Sequence, residues 1–232
     1  MIEKLTDTHL FGILLSVACF YGIAFLRNRT RRNWINPLLL SIALIILILS
    51  LTDISFENYM KGGSVIHAFL GPVTVVLALP LYRQRKLLMS HKYSIMGGIL
   101  SGVISAIVSV IVLCRWLGLN ELLERSLLPH SVTTPIGIGL SDLLGATEGI
   151  VILSIIITGI LGALVAPLVY KLLRIVHPVA KGIGLGTSAH ALGTTKAIEM
   201  GETEGAMSSL AIGLAALTTV VLVILLQYFQ WY

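Results

Sequence analysis

The chain has 232 residues, of which 56% are hydrophobic and 12% charged, with a formal net charge of +5 and a mean hydropathy of +0.95. Soluble domains carry roughly twice that share of charge, so the composition excludes the ordinary soluble classes and points to an all-α integral membrane protein. The positive balance does not imply a nucleic-acid partner, because the cations gather in loops beside apolar runs, where membrane topology accounts for them.

The first apolar run, residues 10–26, has no preceding basic cluster and no small-residue cleavage site before Arg27. It is expected to remain as a span rather than be removed as a signal peptide. Arg27, Arg29, Arg31 and Arg32 follow it, then a second run at 37–51, then a loop at 52–63 with Asp53, Glu57 and Lys61. Residues 67–82 are apolar but carry Gly71, Pro72, Thr74 and Pro80, which predicts a sixth, interrupted span. Arg83, Arg85, Lys86 and Lys92 lead into a run at 95–117. The bias of basic residues toward the cytoplasm puts both basic loops inside and the N-terminus outside.

Residues 119–125, with Glu121, Glu124 and Arg125, read as a short amphipathic stretch at the interface. The following string PHSVTTPIGIGLSDLLGA, residues 129–146, is too polar and too rich in proline and glycine for a lipid-facing helix. It is expected to be re-entrant, leaving and returning on one side. A span at 150–173, headed by Glu148, runs into a third basic loop of Lys171, Arg174, His177 and Lys181, and a last span occupies 206–229.

Between them lies GTSAHALGTTKAIEM, residues 186–200. If it crosses, Glu202 and Glu204 fall outside, and 147–229 becomes an inverted copy of 36–117, the pattern of many secondary transporters. If it is re-entrant, the last span reverses and the C-terminus lies outside. Either way the chain is predicted to be one membrane domain, 1–232, with about six or seven transmembrane helices, some of them broken or re-entrant.

Non-helical backbone at membrane depth persists only where protein or water satisfies it. Three strings demand such shelter: LGPVT (70–74), SVTTPI (131–136) and GTSAHALGTT (186–195). Each joins helix breakers, Gly71, Pro72, Pro135, Gly186 and Gly193, to hydroxyls. Freed N–H groups and a half-helix N-terminus there suit a small carboxylate. Thr74, Thr133, Thr134, Ser188, His190, Thr194 and Thr195 are the candidate substrate-binding residues, with His190 and Glu199 as candidates for proton coupling. Lys196 stands three residues before Glu199 and is as readily its neutralising neighbour. Cys19 and Cys114 lie in separate apolar runs without metal-ligand spacing, and GIGLG (182–186) lacks a strand before it. Neither an enzyme nor a metal or other cofactor is expected.

The strings FLGPVTVVLALPLYRQ (69–84), SVTTPIGIGLSDLLGA (131–146) and GLGTSAHALGTTKAIEMGETEGAMSSLAIGLAALTT (184–219) resemble the LrgB/CidB family of bacterial membrane proteins. The family's signature falls on Gly71, Pro72, Thr74, Thr133, Thr134, Pro135, Ser188, His190, Gly193, Thr194 and Glu199, with a departure at Thr195 and Lys196. The resemblance implies a protein of the bacterial inner membrane working with a small LrgA/CidA-like partner, with a homo-oligomer such as a dimer left open. It implies two functions. One is antiholin-like or holin-like control of murein hydrolase activity and lysis. The other is transport, as in the LrgB-like half of a plastid glycolate/glycerate carrier and in bacterial pairs implicated in pyruvate movement. Simple holins need little interior polarity, so the buried polar strings favour a carrier of small monocarboxylates working by alternating access.

Overall fold

The computed structural model describes residues 6–30, 37–76, 79, 82, 85–90 and 92–229. The regular structure among these is helical, in two compact units, Met1–Val73 and Thr74–Tyr232.

In the first unit, helices α1 (His9–Thr30), α2 (Pro37–Leu51) and α3 (Phe56–His67) are followed by the start of α4 (Leu70–Val76). Two glycines set the α1–α3 crossing. A Cβ on Gly12 would strike the Tyr59 carbonyl, and one on Gly62 would strike the His9 carbonyl and sit 2.7 Å from Gly12 Cα. Small residues permit such backbone contact inside membranes. The Ser16 hydroxyl lies 2.9 Å from the Tyr59 hydroxyl, His9 Nδ1 is 2.8 Å from the Lys61 carbonyl, and Lys61 pairs with Asp7. Gly12 meets Gly62 while Ser16 meets Tyr59, so the two helices are antiparallel. The expected 52–63 loop is therefore mostly helix, capped by Ser55, whose Oγ accepts the Asn58 N–H. Its polar composition suggested a loop because partners of Tyr59 and Lys61 sit on α1 and just before it, at Ser16, His9 and Asp7.

The second unit contains α5 (Arg85–Ser90), α6 (Lys92–Trp116), α7 (Glu121–Leu127), a 3-10 turn (Leu128–Ser131), α8 (Thr134–Leu144), α9 (Glu148–Leu172), α10 (Pro178–Met200) and α11 (Glu202–Tyr228). Helices α1, α6, α9 and α11 are long and apolar enough to cross a membrane. The α6 stripe Ile95, Ile99, Val103 and Ile107 packs on Met207, Leu210, Ala211, Ala215 and Val223 of α11, with Leu128, Leu140 and Leu144 closing the core.

Helix α10 does not cross. His190 has φ 47° and ψ −130°, which no helix can continue. On a straight helix Gly182 and Ile198 would stand about 24 Å apart. Instead a Cβ on Gly182 would lie 2.6 Å from Met207 Cβ, and one on Gly205, two residues away on α11, 2.7 Å from Ile198 Cγ1. Gly193 likewise abuts the Leu185 carbonyl, at 2.5 Å from a built Cβ. The arms 178–189 and 191–200 are thus antiparallel, folded at His190. Their tip packs on mid-depth glycines: Gly162 against Ala189, at 2.7 Å from a built Cβ, and Gly102 against Thr187, at 2.9 Å. Gly162 and Gly102 each lie ten residues from a helix end, about 15 Å, or half the ~30 Å hydrocarbon layer.

A second hairpin enters from the opposite end. Helix α7 and the 3-10 turn descend, and α8 climbs back. The Thr147 N–H donates to Ser126 Oγ at 2.9 Å, Gln227 at the end of α11 donates to the Leu143 carbonyl at 2.9 Å, and Arg115 at the end of α6 lies 3.5 Å from Glu124. The α10 base lies at the other end, where the Tyr170 hydroxyl donates to the Lys181 carbonyl at 2.8 Å. The expected re-entrant form of 129–146 is realised.

For 186–200, the crossing alternative is overturned and the re-entrant one holds. Glu202 and Glu204 lie at the same end as Lys181, and the seven-crossing arrangement with three crossings in 147–229 falls with it. The helix breaks also move. Gly186 and Gly193 are helical, with the break at His190 between them, while Pro135 lies in the first turn of α8 and Gly71 and Pro72 in the first turn of α4. Pro80 lies outside the described residues. The first copy of the expected repeat, 36–117, is divided between the two units.

Two outcomes follow. Gly62→Ala should lower the thermal stability of the purified protein by about 1–3 kcal/mol through overpacking, whereas Gly22→Ala, with nothing within 4 Å, should not. Because both native cysteines are buried, Lys181→Cys and Glu204→Cys should label from one side of the membrane, and Thr147→Cys from the other. Opposite-side labelling of the first two would overturn the hairpin.

Candidate functional site

Several buried hydroxyls in this chain are satisfied within their own helix. Ser126, Ser141, Ser154 and Thr219 each donate to a carbonyl three or four residues back, at 2.7 to 2.8 Å. Thr194 and Ser208 share a hydrogen bond of 2.7 Å between α10 and α11. Against that background, Ser131 Oγ, Thr133 Oγ1, Thr187 Oγ1 and His190 Nε2 have no hydrogen-bond partner. Their residues are exposed by only 2%, 7%, 6% and 4%. An unsatisfied buried polar group costs on the order of 1–3 kcal/mol, so these groups call for a ligand or water.

They lie at the tips of the two hairpins. Ser131 ends the 3-10 turn and Thr133 is the N-cap residue of α8, without a capping bond from its side chain. Thr187 lies on the last turn of the first α10 arm, three residues before the fold at His190. The His190 ring lies beside the Ser131 main chain, and His130 Nδ1 is 2.9 Å from the Leu127 carbonyl. Two half-helices begin here, α8 and the second arm of α10. Each first turn presents N–H groups and the positive end of a helix dipole. The α8 start is seated on α9 through Gly137, where a Cβ would strike Ile155 and lie 3.1 Å from Val151. Fixed donors of this kind suit a small anion without any full positive charge.

The expected site residues divide. Thr133 and His190 lie at the tips with free polar atoms. Thr134 begins α8 and is half-buried. Ser188 is exposed and donates to the Gly184 carbonyl at 2.7 Å, and Thr195 donates to the Ala191 carbonyl at 3.2 Å. Thr194 is committed to Ser208. Lys196 Nζ pairs with Glu199 Oε2 at 3.0 Å on the second arm, away from the tip. The Thr74 side chain lies outside what is described. Ser131 and Thr187 were not among the expected residues, although both fall inside the polar strings. Sequence does not show which hydroxyl bonds its own helix. Among the described residues no group of three or more His, Cys, Asp or Glu is placed to hold a metal.

Residues 16–229 match the family model described as LrgB-like family. The chain belongs to the LrgB-like family. It is 37% identical over 204 residues to the uncharacterized protein YxaC of Bacillus subtilis, covering 88% of this chain and 89% of that protein. It is 34% identical over 220 residues to the antiholin-like protein LrgB of Bacillus cereus, covering 94% and 95%. No solved structure matches. The LrgB-like match spans both units, and the orphaned tip residues all fall within it.

The orphans make a stability prediction. Thr133→Val or Thr187→Val should leave the unliganded LrgB-like protein as stable or more stable, by up to ~1 kcal/mol, because an unpaired hydroxyl is replaced by a methyl. Thr194→Val should cost about 1 kcal/mol by orphaning Ser208. Thermal unfolding in detergent checks both signs.

Proposed function

We propose that this multi-pass LrgB-like protein is a carrier of small monocarboxylates, of the glycolate, glycerate, pyruvate or lactate type, working by alternating access. The observation that supports it is the set of unpartnered buried polar atoms at two hairpin tips that approach mid-depth from opposite ends. Transporter sites are often built from discontinuous helices whose N-termini point at an anionic substrate near the midplane. In this reading the carboxylate sits against the α8 N-terminus, taking donors from Ser131, Thr133 and His190, and the hairpins alternately open to each side. His190, buried and beside the ligand, is the group on which a coupled proton would ride. Glu199, paired with Lys196, is not needed for it.

In this reading the base of the α10 hairpin, with Lys171, Arg174 and Lys181, faces the cytoplasm, and Arg27 and Arg29 at the end of α1 support an N-terminus outside. The membrane is then the bacterial inner membrane, and a small LrgA-like protein is the proposed partner.

Reconstituted protein, alone and with that partner, should show saturable uptake of labelled pyruvate, lactate or glycolate. Thr133→Val and His190→Ala should lower uptake at least ten-fold while the protein stays folded. No saturable uptake under either condition would sink the carrier reading.

A second reading, antiholin-like control of murein hydrolase activity and lysis, is favoured by the names of the relatives. It predicts that deletion changes lysis and murein hydrolase activity, and that Thr133→Val and His190→Ala restore the wild-type lysis phenotype.

A further inference from the structure

The Thr187 hydroxyl is unusual for its position. It sits in the last helical turn of the first α10 arm, where a threonine ordinarily returns its hydroxyl to the carbonyl four residues back. Its neighbour Ser188 does so, as do Thr195 on the second arm and Thr218 and Thr219 on α11. Thr187 does not, although it is buried. Its methyl explains the exception. A Cβ built on Gly102 of α6 would lie 2.9 Å from Thr187 Cγ2 and 3.8 Å from Thr187 Cβ. The methyl thus occupies the space that the missing Gly102 side chain leaves.

Threonine has few allowed rotamers in a helix, and they differ in whether methyl or hydroxyl faces a given neighbour. A glycine at 102 admits the rotamer with the methyl on α6 and the hydroxyl unbonded. A larger residue would drive the methyl away and turn the hydroxyl toward its own backbone. Thr187 also stands one turn, ~4.5 Å along the axis, from His190. Thr187 carries the unpartnered buried hydroxyl on the arm that leads to His190, and in the carrier reading it is the group left to meet a substituent beside a carboxylate held at His190, Ser131 and Thr133.

We propose that Thr187 is a specificity-determining residue that hydrogen-bonds the oxygen on the carbon next to the ligand's carboxylate, and that Gly102 is the positioning residue that holds it in that rotamer. This rests on the carrier reading above. Ligands bearing that oxygen are preferred over the same acid without it, because only they satisfy the Thr187 hydroxyl. Discrimination by one neutral hydrogen bond is worth about ten-fold.

The test compares lactate with propionate, which differ by that oxygen, in two measurements on the full chain: competition for uptake in proteoliposomes, and ligand-induced thermal stabilisation of the purified protein. Wild type should prefer lactate about ten-fold. Thr187→Val should collapse the preference to within about two-fold of unity. Gly102→Ala should do the same, and the double variant Gly102→Ala/Thr187→Ser, which removes the displaced methyl and keeps a hydroxyl, should recover most of it. A purely structural Gly102 would instead weaken both ligands equally and gain no selectivity from Thr187→Ser. An undiminished preference in Thr187→Val would overturn the proposal and leave the carrier reading standing. Neither ligand binding to wild type would overturn both.

Discussion

A polypeptide in hydrocarbon must satisfy its own main chain, and the second unit is organised around two places where it does not do so by continuous helix. At His190 the chain turns back at a positive φ, a backbone conformation that costs on the order of 1–3 kcal/mol for a residue with a side chain and persists only when its surroundings enforce it. The enforcement is visible in the glycines. Gly182 and Gly186 bring the first arm flush onto α11, Gly193 brings the second arm onto the first, and Gly159 and Gly162 of α9 receive the tip. Because these contacts are with backbone or with Cβ atoms, a side chain at most of these positions would separate the elements that hold the turn in place.

The same arrangement explains the polarity that seemed out of place in so apolar a chain. A hairpin tip at mid-depth leaves polar groups without the helical partners that satisfy serines and threonines elsewhere in this protein. Among the described residues, the buried hydroxyl and imidazole atoms left without a hydrogen-bond partner are those of Ser131, Thr133, Thr187 and His190, while Glu124 Oε1, also without a hydrogen bond, faces Arg115 at the opposite end. The cost of unpaired polar groups is thus gathered at the candidate site, as it is where a site is held ready for a ligand. The charged groups nearest in sequence play a different part: Lys196 and Glu199 neutralise each other on the outer portion of the second arm, and Glu124 meets Arg115 at the opposite end.

Much of this was legible in the sequence. Four of the five long apolar runs became helices long enough to cross, the run at 37–51 forming a shorter one, and a proline after two threonines gave the re-entrant segment at 129–146. The polar string at 186–200 marked a sheltered break, and its motifs carried the family resemblance that the comparisons bear out. What composition could not supply was direction. Crossing and folding back at His190 use the same residues, and the decision lies in long-range packing, Gly182 and Ile198 meeting neighbouring residues of α11. The hydroxyls were likewise indistinguishable in sequence: Thr187 and Ser188 are adjacent and chemically alike, yet Gly102 on a distant helix leaves the first free while the second bonds its own backbone. The helix at Phe56–His67 was missed for the same reason, the contacts that seat it, Gly62 on Gly12 and Tyr59 on Ser16, being with residues far away in sequence.

The returning arm of α10 also constrains how the protein is made. Residues 178–200, with their glycines, hydroxyls and the Lys196–Glu199 pair, are a poor candidate for unaided entry into lipid. The surfaces that receive them belong in large part to α11, which is synthesised afterwards. The hairpin must therefore wait near the membrane surface until the last helix has entered, and then slot between α9 and α11 as a late step of assembly. In this protein the segment most central to the site is the last to be buried, and a chain that ends before α11 would leave that segment without its seat.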